Sequence, residues 1–211
     1  MKGRIELSRN IEIEFKNILT KSEFTMLKTY FHLNDDNFIK QENHYFDTPQ
    51  FSLKDQSSAL RIREKNGSFE MTLKQPVKNG LLETNQLLTS QQASNMIETG
   101  KLISGIVMEA IINMNINPNE LQYFGTLTTE RAEIPYKNGL IVLDFSYYLN
   151  TFDYEIEYEV NDYETGKQLF EDLLQKQNIP QRKTANKIKR FYLQKQKLSQ
   201  SINDKENNDE R

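Results

Sequence analysis

Ile11-Glu12-Ile13-Glu14-Phe15-Lys16 alternates apolar and charged residues with a period of two, the pattern of a β-strand whose two faces meet different surroundings. Glu12, Glu14 and Lys16 share one face. The pattern returns along the chain. Residues 59–65 bring Arg61 and Arg63 together, and residues 69–75 set Glu70, Thr72 and Lys74 against Phe69, Met71 and Leu73. Asn66-Gly67 between these two runs is a strong hairpin signal. Lys78-Asn79-Gly80 reads as a second turn leading into a strand with Glu83, and strand signals resume over 122–136, 140–145 and 154–160 around a turn at Asn138-Gly139.

Helical periodicity interrupts the strands at three places. Thr20-Lys21-Ser22-Glu23 reads as a capping box ahead of Phe24, Leu27, Lys28 and Phe31, which predicts a helix over about 22–31. Residues 90–117 read as two short inserted helices. Leu169, Phe170, Leu173 and Leu174 form one buried face before Pro180, and a last helix starting near Thr184 puts Lys187 and Arg190 close to one face. Residues 196–211 are polar with no apolar stripe, so the expected organisation is a single domain over 1–195 and a disordered tail over 196–211.

With 36% hydrophobic and 27% charged residues, the 211-residue chain has enough Leu, Ile, Phe and Tyr for one core. A net charge of -3, with acidic and basic residues in separate short clusters, gives no indication of a general nucleic-acid surface. No cysteine is present, so disulfide and thiolate chemistry are excluded and cytoplasmic residence is expected. Residues 1–10 lack the apolar run of a signal or anchor, and no stretch approaches the ~20 apolar residues of a membrane helix.

The charged strand faces are sorted by sign. Glu12, Glu14, Asp144, Glu155 and Glu157 are acidic; Arg61, Arg63, Lys74 and Arg131 are basic. Strand by strand, this pattern also fits a sheet with one face open to water. If the strands instead close into a barrel, the same side chains converge on one enclosed volume, where carboxylates hold hard divalent cations and guanidinium and ammonium groups hold phosphate oxygens. His32 and His44 lack the spacing of a familiar zinc site, His44 reads as a packing or surface residue, and no Gly-x-x-x-x-Gly-Lys-Ser/Thr phosphate loop occurs.

Further motifs follow in a fixed order: NHYFDTP at 43–49, ALRIR at 59–63, TLKQP at 72–76, Glu130-Arg131, YEIEYE at 154–159 and NKIKR at 186–190. With Glu12-Ile13-Glu14-Phe15-Lys16 at their head, they resemble the triphosphate tunnel metalloenzymes of the CYTH superfamily over about 11–194. The resemblance implies an α+β fold, a closed eight-stranded antiparallel β-barrel flanked by helices, and metal-dependent hydrolysis of a small triphosphate, inorganic triphosphate being favoured. It implies Glu12, Glu14, Asp144, Glu155 and Glu157 as ligands for Mg2+ or Mn2+. It further implies Lys16, Arg61, Arg63, Lys74, Arg131, Lys187 and Arg190 as contacts to triphosphate oxygens, with Lys74 and Tyr45 as catalytic candidates. Glu83 and Glu133 are read equally as tunnel acids or salt-bridge partners, and Glu159 as structural or solvent-facing. The expected partner is a small triphosphate, a homodimer being allowed; cyclic AMP formation from ATP, thiamine triphosphate hydrolysis and binding without turnover are the alternatives.

Overall fold

The structure is a computed structural model that describes residues 7–209, with side chains over 8–200. Residues 1–6 and 210–211, and the side chains of the expected tail from 201 onward, lie outside the described residues. Eight strands, β1 (Leu7–Leu19), β2 (Ile39–Asp47), β3 (Ala59–Lys65), β4 (Ser68–Val77), β5 (Gly80–Leu88), β6 (Gln122–Tyr136), β7 (Gly139–Tyr148) and β8 (Thr151–Val160), form a closed barrel in the order β1-β5-β4-β3-β2-β6-β7-β8. All neighbours are antiparallel. β1 closes the barrel by changing partners, pairing with β5 up to Glu12 and with β8 from Ile13 onward.

Short hairpins hold the strands in register. Asn66 (φ 53°) and Gly67 (φ 74°) join Lys65 to its partner Ser68, the doubly left-handed turn that suits the twist of adjoining strands. The β6–β7 turn falls one residue earlier than the sequence suggests. Tyr136 pairs with Gly139, and Lys137 takes the left-handed position at φ 52°. Leu149 and Asn150, also left-handed, make a β7–β8 turn that carries no glycine and gave no signal in the sequence.

Helices α1 (Lys21–Tyr30), α2 (Ser52–Asp55), α3 (Ser90–Thr99), α4 (Ile106–Asn113), α5 (Tyr163–Lys176) and α6 (Lys187–Asp209) complete the chain. The capping box forms as expected, with Thr20 Oγ1 accepting from Glu23 N–H at 3.2 Å and Glu23 Oε2 accepting from Thr20 N–H at 2.7 Å. α3 and α4 bury Met96, Val107 and Ile111 on the outward Leu60, Ile62, Met71 and Leu73 of β3 and β4. α1 and α5 bury Leu27, Phe170 and Leu173 on Ile141, Leu143 and Ile156. Each such side chain contributes roughly 1.5–3 kcal/mol of burial.

Because the apolar faces look outward under helices, the charged faces look inward, which decides between a lumen and a solvent-exposed sheet. α6 crosses one end of the barrel, packing Ile188, Phe191 and Tyr192 on Tyr45, Leu127 and Tyr148. The helix runs on past the boundary expected at residue 195. Among the described residues, no helix is long and apolar enough to cross a membrane.

Candidate active site

The inward charges line a cavity of about 280 Å³ to which every strand contributes. β1 supplies Glu12, Glu14 and Lys16, β3 supplies Arg61 and Arg63, and Lys74, Arg131 and Glu157 come from β4, β6 and β8, with Lys187 from the start of α6. Tyr45, Glu83, Glu133 and Glu159 also line it. Strand parity explains the set, since alternate residues of one strand share a face. Glu155, Glu157 and Glu159 therefore point the same way, and of the two expectations for Glu159 the solvent-facing one is corrected: it lines the cavity, 3.8 Å from Arg131 Nη1. Burial pushes its carboxyl up to about 7.

The deepest part is a network of opposite charges. Arg131 donates from Nε to Asp144 Oδ1 at 2.8 Å, and from Nη2 to Asp144 Oδ2 at 2.6 Å and Glu157 Oε2 at 2.8 Å. Lys187 Nζ lies 2.8 Å from Asp144 Oδ2 and 2.6 Å from both Glu155 Oε1 and Glu157 Oε1. Burial pushes Glu155 up to about 7 against the pull of Lys187, whereas Lys187 and Arg131 overcome the same burial at Glu157 and hold it well below the usual range. Oxygens of Asp144, Glu155 and Glu157 lie within 4.8 Å of one another, and all three residues are buried. This all-oxygen carboxylate set fits magnesium or manganese, hard cations that take oxygen ligands.

Three of the five expected metal ligands thus meet in one cluster. Glu12 and Glu14 stand apart from it on β1, Glu14 ion-paired with Lys16 and Glu12 with Lys74. Lys74 also pairs with Glu83 at 2.7 Å. Burial works against ionisation of Glu83, but the Lys74 charge wins and holds the carboxyl at about 2. Lys74 is therefore held by Glu12 and Glu83; no hydrogen bond joins it to Tyr45, which instead packs its ring on Phe191. Glu133 pairs with Lys65.

Arg61 and Arg63 are different. Among the described residues neither has a carboxylate at ion-pair distance. Arg63 Nε donates only to Asn43 Oδ1 at 3.3 Å, and Arg61 Nε is buried without a partner. Burial first, then the like charges of Arg61 and Arg131, bring the Arg63 guanidinium down to about 9. Arg190 does not line the cavity. It forks onto Asp153, with Nε and Nη2 each 3.0 Å from a carboxylate oxygen, and turns Nη1 to Glu155.

Sequence reading assigned Asn43 and Asn186 no role beyond heading two motifs, and it did not single out Asp153. Asn186 Oδ1 accepts from Lys189 N–H at 3.0 Å, the bond of an N-cap at the start of α6.

Residues 10–192 match the family model described as CYTH domain. A Bacillus subtilis (strain 168) protein named "Putative triphosphatase YjbK" is 49% identical over 191 residues, covering 90% of this chain and 99% of that protein. The crystal structure of a Bacillus halodurans protein described as "a putative adenylate cyclase" superposes with a TM-score of 0.85 at 46% identity, over 87% of this chain and 98% of that one. HpAC1 from Hippeastrum, 24% identical with a TM-score of 0.71 over 86% of this chain and 94% of that one, shares the fold. With nearly its whole length matched to that model, the chain belongs to the CYTH domain family.

Proposed function

We propose that this protein hydrolyses a small triphosphate, inorganic triphosphate first among the candidates, in a reaction that depends on Mg2+ or Mn2+. The observation that carries the reading is the pair Arg61 and Arg63: two cations facing a cavity with no carboxylate of their own. Buried charge requires a partner, and guanidinium forks match phosphate oxygens in pairs. A cavity of about 280 Å³ lies just below the ~300–1,000 Å³ range of small-molecule pockets, which favours a compact polyanion over a large one.

Asp144, Glu155 and Glu157 would hold the cation, with Glu12 and Glu14 as further carboxylates on β1, the strand paired with β8. Bound there, Mg2+ or Mn2+ neutralises phosphate oxygens and makes a bound water more acidic. Arg61 and Arg63 grip the oxygens of the phosphoryl group and stabilise the charge that develops as the bond to the leaving phosphate breaks, the main demand of phosphoryl transfer. Lys16 and Lys74, each drawn to a β1 carboxylate, hold their charges beside the chain of phosphates. α6 closes one end and keeps bulk water off the reacting groups. Cytoplasmic residence is part of the same proposal, supported by the absence of cysteine.

A cyclase reading draws on the Bacillus halodurans relative's description. One assay separates the readings: triphosphate, thiamine triphosphate and ATP are each offered with Mg2+ or Mn2+, and orthophosphate, pyrophosphate and cyclic AMP are measured. Orthophosphate from triphosphate that disappears with chelator is expected. Cyclic AMP as the main product would replace hydrolysis by cyclisation, and no product from any of the three would leave a binding module.

A further inference from the structure

The barrel wall carries a second cluster on its opposite face. Glu42 and His44 are two residues apart on β2, and Glu42 is the register partner of Glu64 on β3, so the three side chains share the outer surface while Asn43, Tyr45, Arg61 and Arg63 face inward. A ring nitrogen of His44 and one carboxylate oxygen each from Glu42 and Glu64 lie within 4.8 Å of one another. We propose that Glu42, His44 and Glu64 form a cation site separate from the lumen, taking a borderline first-row divalent ion of the zinc class.

Three observations converge on this. Carboxylates directly opposite on paired strands repel, and the one lysine beside them, Lys40, is exposed, ion-paired at 2.8 Å with Glu42 and reaching Glu64 only through its longer-range charge. His44 is 8% exposed, and its Nδ1 is tied at 2.7 Å to Thr126 Oγ1, which is itself 2.6 Å from the Tyr123 hydroxyl. Among the described residues Nε2 has no hydrogen-bond partner, so one imidazole nitrogen is left for the two carboxylates to share through an ion.

The donor set separates this site from the lumen. One imidazole with two carboxylates suits zinc, cobalt or nickel, with water completing the shell, whereas the lumen offers oxygen alone. Thr126 plays the part of the outer partner that fixes a ligating imidazole in orientation. An ion here would pin β2 to β3 directly behind Asn43 and Arg63.

The test is Co2+ titration of the full chain, stripped of metal and kept in excess Mg2+ so that the all-oxygen lumen is occupied, with visible absorption as the readout. The wild type should show cobalt bands that Zn2+ displaces. Glu64→Gln and His44→Ala should lose them, Thr126→Val should keep them with roughly 10- to 100-fold weaker affinity, and Glu157→Gln, a lumen change, should leave them intact. Glu64→Gln conserves size and carries the test alone if the buried His44→Ala fails to fold. Bands absent from the wild type, or retained in Glu64→Gln, would overturn the site without bearing on triphosphate hydrolysis.

Discussion

Lys187 places its ammonium 2.6 Å from Glu157 Oε1, at the centre of the three carboxylates that stand close enough to share a cation. The lysine is thus a built-in counter-ion for Asp144, Glu155 and Glu157. Lys187→Met should leave buried negative charge uncompensated and lower stability in metal-free buffer, on the order of 3–5 kcal/mol for a broken buried pair. Mg2+ or Mn2+ should then raise the variant's melting temperature more than the wild type's. Melts of the variant that ignore the ion would argue against these carboxylates as its ligands.

The lumen arginines should divide into two kinds. Arg131 neutralises Asp144 and Glu157, so Arg131→Ala should unfold or severely destabilise the protein. Among the described residues Arg61 and Arg63 make no ion pair, so Arg61→Ala and Arg63→Ala should leave the melting temperature unchanged or higher. Each should lower kcat/KM for triphosphate by roughly ten- to a hundredfold, the worth of a charge-assisted contact of ~1.5–3 kcal/mol. Arg→Lys should recover little, because a point charge does not reproduce the fork. Near-wild-type kinetics in both alanine variants would remove the basis of the functional proposal.

Much of this was legible locally. Period-two alternation in Glu12–Lys16 and around Arg61–Arg63 gave the strand faces, and Asn66-Gly67 gave a hairpin, because both signals lie within a few residues of one strand. Which face is the lumen was not local. That depends on helices distant in sequence covering Ile62 and Leu143 and leaving Arg63 and Asp144 inside. Asn43 received no role of its own because its tie to Arg63 comes from pairing of β2 with β3, and the Glu42–His44–Glu64 cluster is hidden for the same reason. Glu159 was legible by parity with Glu157. Arg190 shares a helix face with Lys187, yet three residues of helix carry it past the cavity to Asp153.

The NHYFDTP stretch reads as part of a functional motif, but its aspartate is an anchor. Asp47 accepts from the backbone N–H groups of Thr48, Leu53 and Lys54 and from the Tyr192 hydroxyl at 2.7 Å, fixing the α2 turn to α6. Burial, then the Asp47 carboxylate, raises the Tyr192 phenol far above its usual range, so it remains a donor at all ordinary pH. Tyr192→Phe should cost ~1.5–3 kcal/mol, the worth of a hydrogen bond to a charged group, with kcat affected less than Tm. Chemical denaturation of the variant measures it, and an unchanged midpoint would show that α6 is held by packing alone.

Where α6 meets the barrel, β6 contains a bulge: Tyr45 pairs with Gly125 but Phe46 pairs with Tyr123, leaving Phe124 extra on β6. Gly125 sits at φ 151°, outside the range that side-chain-bearing residues favour, and a Cβ added there would lie 2.4 Å from the Phe191 ring. Phe191 is 1% exposed and stacks on Tyr148 at 5.6 Å, so it has no space to retreat. Gly125→Ala therefore combines a strained backbone with overpacking, each costing roughly 1–3 kcal/mol. α6 can relieve the clash by lifting off the barrel, which would withdraw Lys187 from Glu155 and Glu157. The expected result is a lower melting temperature with faster amide exchange in α6 and in the lumen ends of β7 and β8. The double variant Gly125→Ala/Phe191→Leu should recover part of the loss by making room for the new methyl group. A single variant as stable as the wild type would show that α6 does not press on the bulge.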